Sequence, residues 1–249
     1  MKKIINLYKR VGQTPLQAID RFRENNPSYK NVKMSYAGRL DPMAEGVLLV
    51  LVGEENKKMK QHMRLDKEYR AEILIGIRSD SHDVLGIASF SNDKNDKGKS
   101  KELMEKIKGL RGSYEQKIPK YSSYRIKGKP MFYYALKGIA VEEIKKKVII
   151  KSVKINSTYD VNNKRLLKYV LSKIDKVKGD FRQSVIKKRW NELLGDSRDE
   201  RKFLVIDVTI NCSSGTYIRA IADDLNGLLL SLKRTKVGRF DINKSLKLR

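Results

Sequence analysis

The chain has 249 residues, 40% of them hydrophobic, enough for one large domain or two small ones with a sizeable core. Its 55 Lys and Arg against 29 Asp and Glu give a formal net charge of +26, more than solubility requires, which points to a polyanionic partner: nucleic acid first, an anionic membrane surface second. One cysteine, Cys212, excludes an internal disulfide, and two histidines, His62 and His82, leave a Cys/His zinc site or a Ser-His or Cys-His catalytic pair poorly supplied.

No apolar run nears the ~20 residues of a spanning helix. "MKKIINLYKR" lacks the apolar core and small-residue cleavage site of a secretory signal, so a cytoplasmic location is expected. The first predicted element is a helix in "TPLQAIDRFREN", with Thr14 as N-cap, Pro15 at the first helical position, and Leu16, Ile19 and Phe22 on one face. "AGRLDPMAEG" is a loop running into the buried strand "VLLVLV", residues 47–52. A second strand spans 69–77, with Tyr69, Ala71, Ile73 and Ile75 on one face and Arg70, Glu72 and Leu74 on the other.

"SNDKNDKGKS" reads as a solvated loop and "KELMEKIKGL" as a short amphipathic helix. A helix over 131–137 ends the next segment, and "KKKVIIKSVKINSTYD" is a basic strand. From 163 to 190, Leu167, Val170, Leu171, Ile174, Val177, Phe181 and Val185 recur at helical steps among ten basic and two acidic residues. This predicts a basic amphipathic insertion, 159–199, broken near Gly179. "RKFLVIDVTIN" alternates as a strand, and "CSSGTYIRAIADDLNGLL" turns into a helix burying Ile218, Ile221, Leu225 and Leu228 beside Arg219. The basic tail is expected to close with one more strand. Without repeats, and with strands and helices in mixed order, the fold class is α+β.

Asp41 is the first candidate for chemistry. Pro42 biases it toward an extended backbone, and Gly38 and Gly46 can adopt conformations other residues avoid. A carboxylate presented this way can attack a sugar or an electrophilic ring carbon; spacing alone also fits an ordinary Asp-Pro turn. Tyr69 also reads as core, Arg219 as the partner of Asp223 one helical turn on, and Cys212 as a small buried residue. Tyr114, Tyr121, Tyr124, Phe132, Tyr133 and Tyr134, mixed with Lys117, Lys120, Arg125, Lys127 and Lys129, suit either packing or a single-stranded RNA surface.

Five ordered segments carry a resemblance. "YAGRLDPMAEGVLLVLVGEENK", "KEYRAEILIGIRSDSHDVLG", "IPKYSSYRIKGKPMFYYALKGI", "CSSGTYIRAIADDL" and "LKRTKVGRF" resemble the motifs of the TruB family of RNA pseudouridine synthases. The resemblance implies a central mixed, mostly antiparallel sheet flanked by helices. It implies isomerisation of uridine to pseudouridine in the T-loop of tRNA, position 55, without a cofactor or metal. Asp41 matches the catalytic aspartate, Tyr69 the tyrosine that stacks on the base and helps in proton removal, and Arg219 the arginine that keeps the aspartate ionised and aimed. Tyr217 and Leu232 match side chains of the base pocket, and Lys9 a lysine of the N-terminal motif. Tyr36, Asp80 and Arg125 complete the expected substrate-binding set.

Three departures stand out. Tyr36 occupies a position where histidine is common, and Arg10 one where proline is usual. The C-terminal PUA domain of many relatives has no counterpart, so a single catalytic domain, 1–249, is expected. The insertion's basic face then supplies RNA contacts, or it is a surface hairpin. The expected partner is the tRNA T-arm, with no membrane and no small-molecule cofactor, for a monomer. The alternatives are a guide-RNA-dependent or other-RNA synthase, a non-catalytic tRNA-folding chaperone, and a ribosome-associated basic protein.

Overall fold

The computed structural model describes residues 2–91, 100–196, 198 and 200–248. Most of the solvated loop expected at 91–100 lies outside the described residues, as does Asp199 at the end of the expected insertion.

In chain order the elements are β1 (Ile4–Lys9), α1 (Pro15–Glu24), β2 (Met34–Ala37), β3 (Glu45–Val52), α2 (Met59–Met63), β4 (Lys67–Ile75), β5 (Ile77–Ser79), β6 (Ala88–Phe90) and α3 (Ser100–Lys108). There follow β7 (Gly112–Lys117), β8 (Arg125–Ile126), β9 (Lys129–Pro130), α4 (Met131–Leu136), β10 (Lys145–Asn162), α5 (Asn163–Asp175), α6 (Gln183–Leu194), β11 (Lys202–Cys212), α7 (Ile218–Asp224), β12 (Gly227–Val237) and β13 (Phe240–Asp241). Among the described residues the main sheet runs β1-β3-β12-β4-β11-β10-β7, with β2 on β3 and β13 on β12. Its ladders are antiparallel except the short parallel contact of β3 with β12. With helices packed against it, this is the α+β architecture expected.

Local chemistry accounts for the elements. Thr14 and Gln17 form a reciprocal capping box at α1, Thr14 Oγ1 accepting from Gln17 N and Gln17 Oε1 from Thr14 N. Pro15, Ala18, Ile19 and Phe22 are its buried face; Leu16, expected there, faces solvent. β3 is apolar almost throughout because it lies inside the sheet, covered on both faces. β4 alternates at its start, burying Tyr69, Ala71 and Ile73 while Arg70 faces out.

Two expectations change. "LNGLL" leaves the helix at Leu225, and Leu228 lies on β12, an eleven-residue strand in the middle of the sheet rather than a closing strand. Asn226, with φ 55, turns the chain out of the helix, and Gly227 lets β12 start close against β4, since a Cβ there would lie 2.3 Å from Leu74 O. The helical stripe also shifts. Leu166, Val170, Ile174, Ile186 and Trp190 are buried, whereas Val185 is exposed and Leu167 and Leu171 are half-buried. A single 3.6-residue period does not run across a break: α5 ends at Asp175, α6 starts at Gln183, and the phase resets. The buried hydrophobic residues of the α5–α6 hairpin belong to the same hydrophobic cluster as Ile73, Leu74, Val84 and Leu229. No helix among the described residues is long and apolar enough to cross a membrane.

Candidate active site

The loop before β3 is anchored so that one side chain faces out. Leu40, Met43 and Ala44 are buried, while the Asp41 side chain keeps 32% of its exposure. Ala44 N donates to Asp41 O, and Gly12 N to Pro42 O at 2.8 Å. Gly46, with φ 108, closes the loop. A Cβ there would lie 2.2 Å from Arg234 O, so only glycine lets β3 run this close to β12.

Arg219, on the first turn of α7 and 4% exposed, faces Asp41. Its Nη1 donates to Ser81 O at 2.7 Å and its Nη2 to Tyr121 O at 3.1 Å. Its Nε lies 2.8 Å from Asp41 Oδ2, an ion-pair distance, although the N–H direction falls outside hydrogen-bond geometry. Burial works against the guanidinium's charge, but Asp41 and Asp83 outweigh it and its pKa is raised. Asp83 Oδ2 is 3.7 Å from Arg219 Nε. Burial pushes the Asp83 carboxyl up, partly offset by Arg219, the Ser81 hydroxyl and Leu85 N. Asp223, the alternative partner of Arg219, pairs instead with Arg78 and His82.

The opposite wall comes from the sheet. Tyr69 on β4 pairs in register with Arg234 on β12, and Ala71 with Leu232. Burial raises the Tyr69 phenol's pKa, and Arg234 beside it partly opposes this. Arg234, 1% exposed, donates to Val47 O, Gly38 O and Arg39 O, tying the Asp41 loop to the sheet. Tyr217 closes one side, its backbone N bonded to Gln116 Oε1 at 2.7 Å. Asp41, Tyr69, Tyr217, Arg219, Leu232 and Arg234 thus line one cleft of about 210 Å³. It offers a carboxylate at the mouth, aromatic and aliphatic faces inside, and a fixed cation behind the carboxylate.

The other expected site residues lie elsewhere. Lys9 is fully buried beneath the loop, donating to Ala44 O at 2.6 Å and Arg10 O at 3.1 Å. Burial lowers its pKa to about 7, against the pull of Asp41. Tyr36 packs on the α1 cluster with Val50 and Phe22. Asp80 accepts from Ile87 N and pairs with Arg182. Arg125 is exposed on the β8–β9 hairpin, bonded to Gly128 O. In the aromatic segment, Lys129 and Lys137 lie over Tyr133, and Arg39 over Phe132.

Sequence reasoning missed Asp83 and Arg234. "SDSHD" contains two aspartates, and nothing in their spacing says which turns inward. Arg234 stands in a basic run that reads as solvated surface. Among the described residues no group of three His, Cys, Asp or Glu is placed to hold a metal ion.

Residues 27–173 match the TruB family pseudouridylate synthase (N terminal domain). The chain is similar over its whole length to the tRNA pseudouridine synthase B of Clostridium kluyveri, 30% identical over 254 residues and covering 71% of that protein. It is likewise similar to the tRNA pseudouridine synthase B of Limosilactobacillus reuteri, 29% identical over 255 residues, again covering 71%. In fold it resembles a chain of the crystal structure of a Cbf5-Nop10-Gar1 complex, with a TM-score of 0.57 and 16% identity over 98% of this chain and 52% of that one.

Proposed function

The chain belongs to the TruB family of pseudouridylate synthases, and from that premise we propose that it converts uridine to pseudouridine in the T-loop of tRNA, at position 55, with Asp41 as nucleophile. The observation that carries this reading is the Asp41 carboxylate at a cleft mouth, 2.8 Å from buried Arg219 and sharing the cleft with Tyr69 and Leu232. The net charge of +26 suits an RNA substrate.

The target uridine leaves its stack, costing a few kcal/mol, and the Tyr69 ring stacks on it, worth roughly 1–3 kcal/mol. An Asp41 oxygen bonds to the ribose C1′ or to the uracil C6. The N1–C1′ bond breaks with its electron pair moving to the uracil, the ring rotates, and C5 bonds to C1′. The carboxylate is released, and the proton on C5 is lost while N1 regains one. Product and substrate are isomers, so no oxidant or reductant enters. Arg219, immobilised by two backbone carbonyls, holds Asp41 toward the cleft. The Tyr69 phenol, its pKa raised by burial, is neutral at physiological pH and available to stack and donate.

Similarity to tRNA pseudouridine synthase B along the whole chain favours a tRNA substrate read without a guide. The test is tRNA transcript incubated with purified protein alone, followed by nucleotide-resolution pseudouridine mapping. Modification at position 55 by wild type, and none by Asp41→Asn, is expected. Modification elsewhere refutes the target; tight binding without product refutes the activity.

A further inference from the structure

The α5–α6 hairpin reaches the Asp41–Arg219 pair from behind, through both partners. α6 and the residue before it hold the 79–88 turn at three points. Arg182 Nη1 pairs with Asp80 Oδ2 at 2.9 Å, Arg189 Nε donates to Ala88 O at 2.7 Å, and Trp190 Nε1 donates to Val84 O at 3.3 Å. That turn supplies the Ser81 carbonyl to Arg219 and carries Asp83. The Arg182 guanidinium also lies over the Tyr121 ring, 4.5 Å from its centroid, and Tyr121 O is the second carbonyl on Arg219. One arginine therefore joins the two segments that grip the other.

The second contact reaches the Asp41 loop through the loop between β1 and α1. Just beyond α5, Lys178 N donates to Gly12 O at 3.1 Å, and Gly12 N donates to Pro42 O at 2.8 Å, one residue from Asp41. Gly12 has φ 89, and a Cβ on it would lie 1.9 Å from Lys176 O. The hairpin sits so tightly on the β1–α1 loop that no side chain fits between them.

We infer that the hairpin braces the Asp41–Arg219 pair and that Arg182 is its positioning residue. This rests on the reading of Asp41 as the nucleophile. The arginines turned toward the catalytic loops, Arg182 and Arg189, are engaged in contacts; Lys164, Lys168 and Lys188 face solvent on the same hairpin. A brace and an RNA-binding face therefore make opposite predictions for the two sets.

The experiment compares wild type, Arg182→Asn, Arg182→Lys and the triple variant K164Q/K168Q/K188Q. Asn suits the left-handed backbone of residue 182, φ 62, so the change removes the side chain's contacts with little backbone strain. Single-turnover rate on tRNA, tRNA affinity and amide hydrogen exchange are measured for each. Arg182→Asn slows turnover about tenfold or more, as misplacement of a reacting group does, while affinity stays within about twofold. Arg182→Lys falls between, because an ammonium keeps the charge but not the fork or the stacking. The triple variant keeps the wild-type rate. Exchange in 79–88 accelerates in Arg182→Asn. A wild-type rate in Arg182→Asn, a loss of affinity in place of rate, or unchanged exchange overturns the inference. If wild type forms no pseudouridine, the functional reading fails by itself, and the exchange data still decide whether Arg182 holds the turn.

Discussion

Arg219 offers Asp41 only its Nε, 2.8 Å away, because carbonyl oxygens of Ser81 and Tyr121 engage its two outer nitrogens. The cation is fixed to the backbone and the carboxylate is not. In the proposed reaction Asp41 turns toward the substrate while the charge behind it stays still, an electrostatic arrangement prepared in advance.

Replacing Arg219 with lysine therefore removes more than a charge contact. One ammonium cannot reach three acceptors in the geometry of a guanidinium. Turnover is expected to fall at least about a hundredfold. Stability is expected to drop by about 1–3 kcal/mol for each buried carbonyl left unpaired. Asp41→Asn, by contrast, is expected to abolish turnover with little change in stability. Urea unfolding of both variants beside single-turnover assays separates the two effects.

Buried lysines set a pH dependence of stability. Burial lowers Lys9 to about 7 and Lys67 to about 8, against an ordinary 10.5. Between those values and 10.5 the unfolded chain binds more protons than the folded one, so these groups make stability rise with pH. The contribution is complete above the unfolded pKa, shrinks as pH falls below it, and is gone below about 8 for Lys67 and about 7 for Lys9. Lys9→Met is expected to flatten the rise by an amount on the order of a few kcal/mol. Urea unfolding at several pH values checks this through the slope, since the absolute stability also reflects the lost bonds to Ala44 and Arg10.

Cys212 is buried and its thiol is pushed up to about 11 by burial, so little thiolate exists near neutrality. A thiol reagent is expected to label the folded protein only as fast as the sheet opens, and the urea-unfolded protein at once. Rapid labelling of the native protein contradicts this placement.

Trp190, the chain's only tryptophan, is fully buried on α6. Its emission is expected to be blue-shifted in the folded protein and to report docking of the hairpin. Trp190→Ala, which empties the contact with the 79–88 turn, is expected to cost about 3–5 kcal/mol, read by urea unfolding followed through circular dichroism.

Much of this architecture was legible in the residues. Caps and periodicity indicated α1, and alternation indicated β4 and β11. Four of the five motifs pointed to Asp41, Tyr69, Tyr217, Arg219 and Leu232, which the structure brings to one cleft. The remainder depends on contacts distant in sequence. "LNGLLL" fits a helix by period, and only the sheet beside it makes it a strand. Tyr36, Asp80 and Arg125 belong to matched segments and Lys9 to the N-terminal motif, yet all four lie outside the cleft lining, because a short motif does not state which way a side chain turns. Asp83 and Arg234 are polar residues in polar runs, and their burial follows from neighbours supplied by other parts of the chain.

The position of β12 also has a kinetic consequence. It follows every other long strand in the chain yet lies between β3 and β4. Until it arrives, those two strands present open edges to each other and to anything nearby. Leu232 and Arg234 arrive on this strand, so the pocket wall is among the last parts to form during synthesis. A nascent polypeptide therefore carries Asp41 and Tyr69 well before the strand that completes the cleft around them.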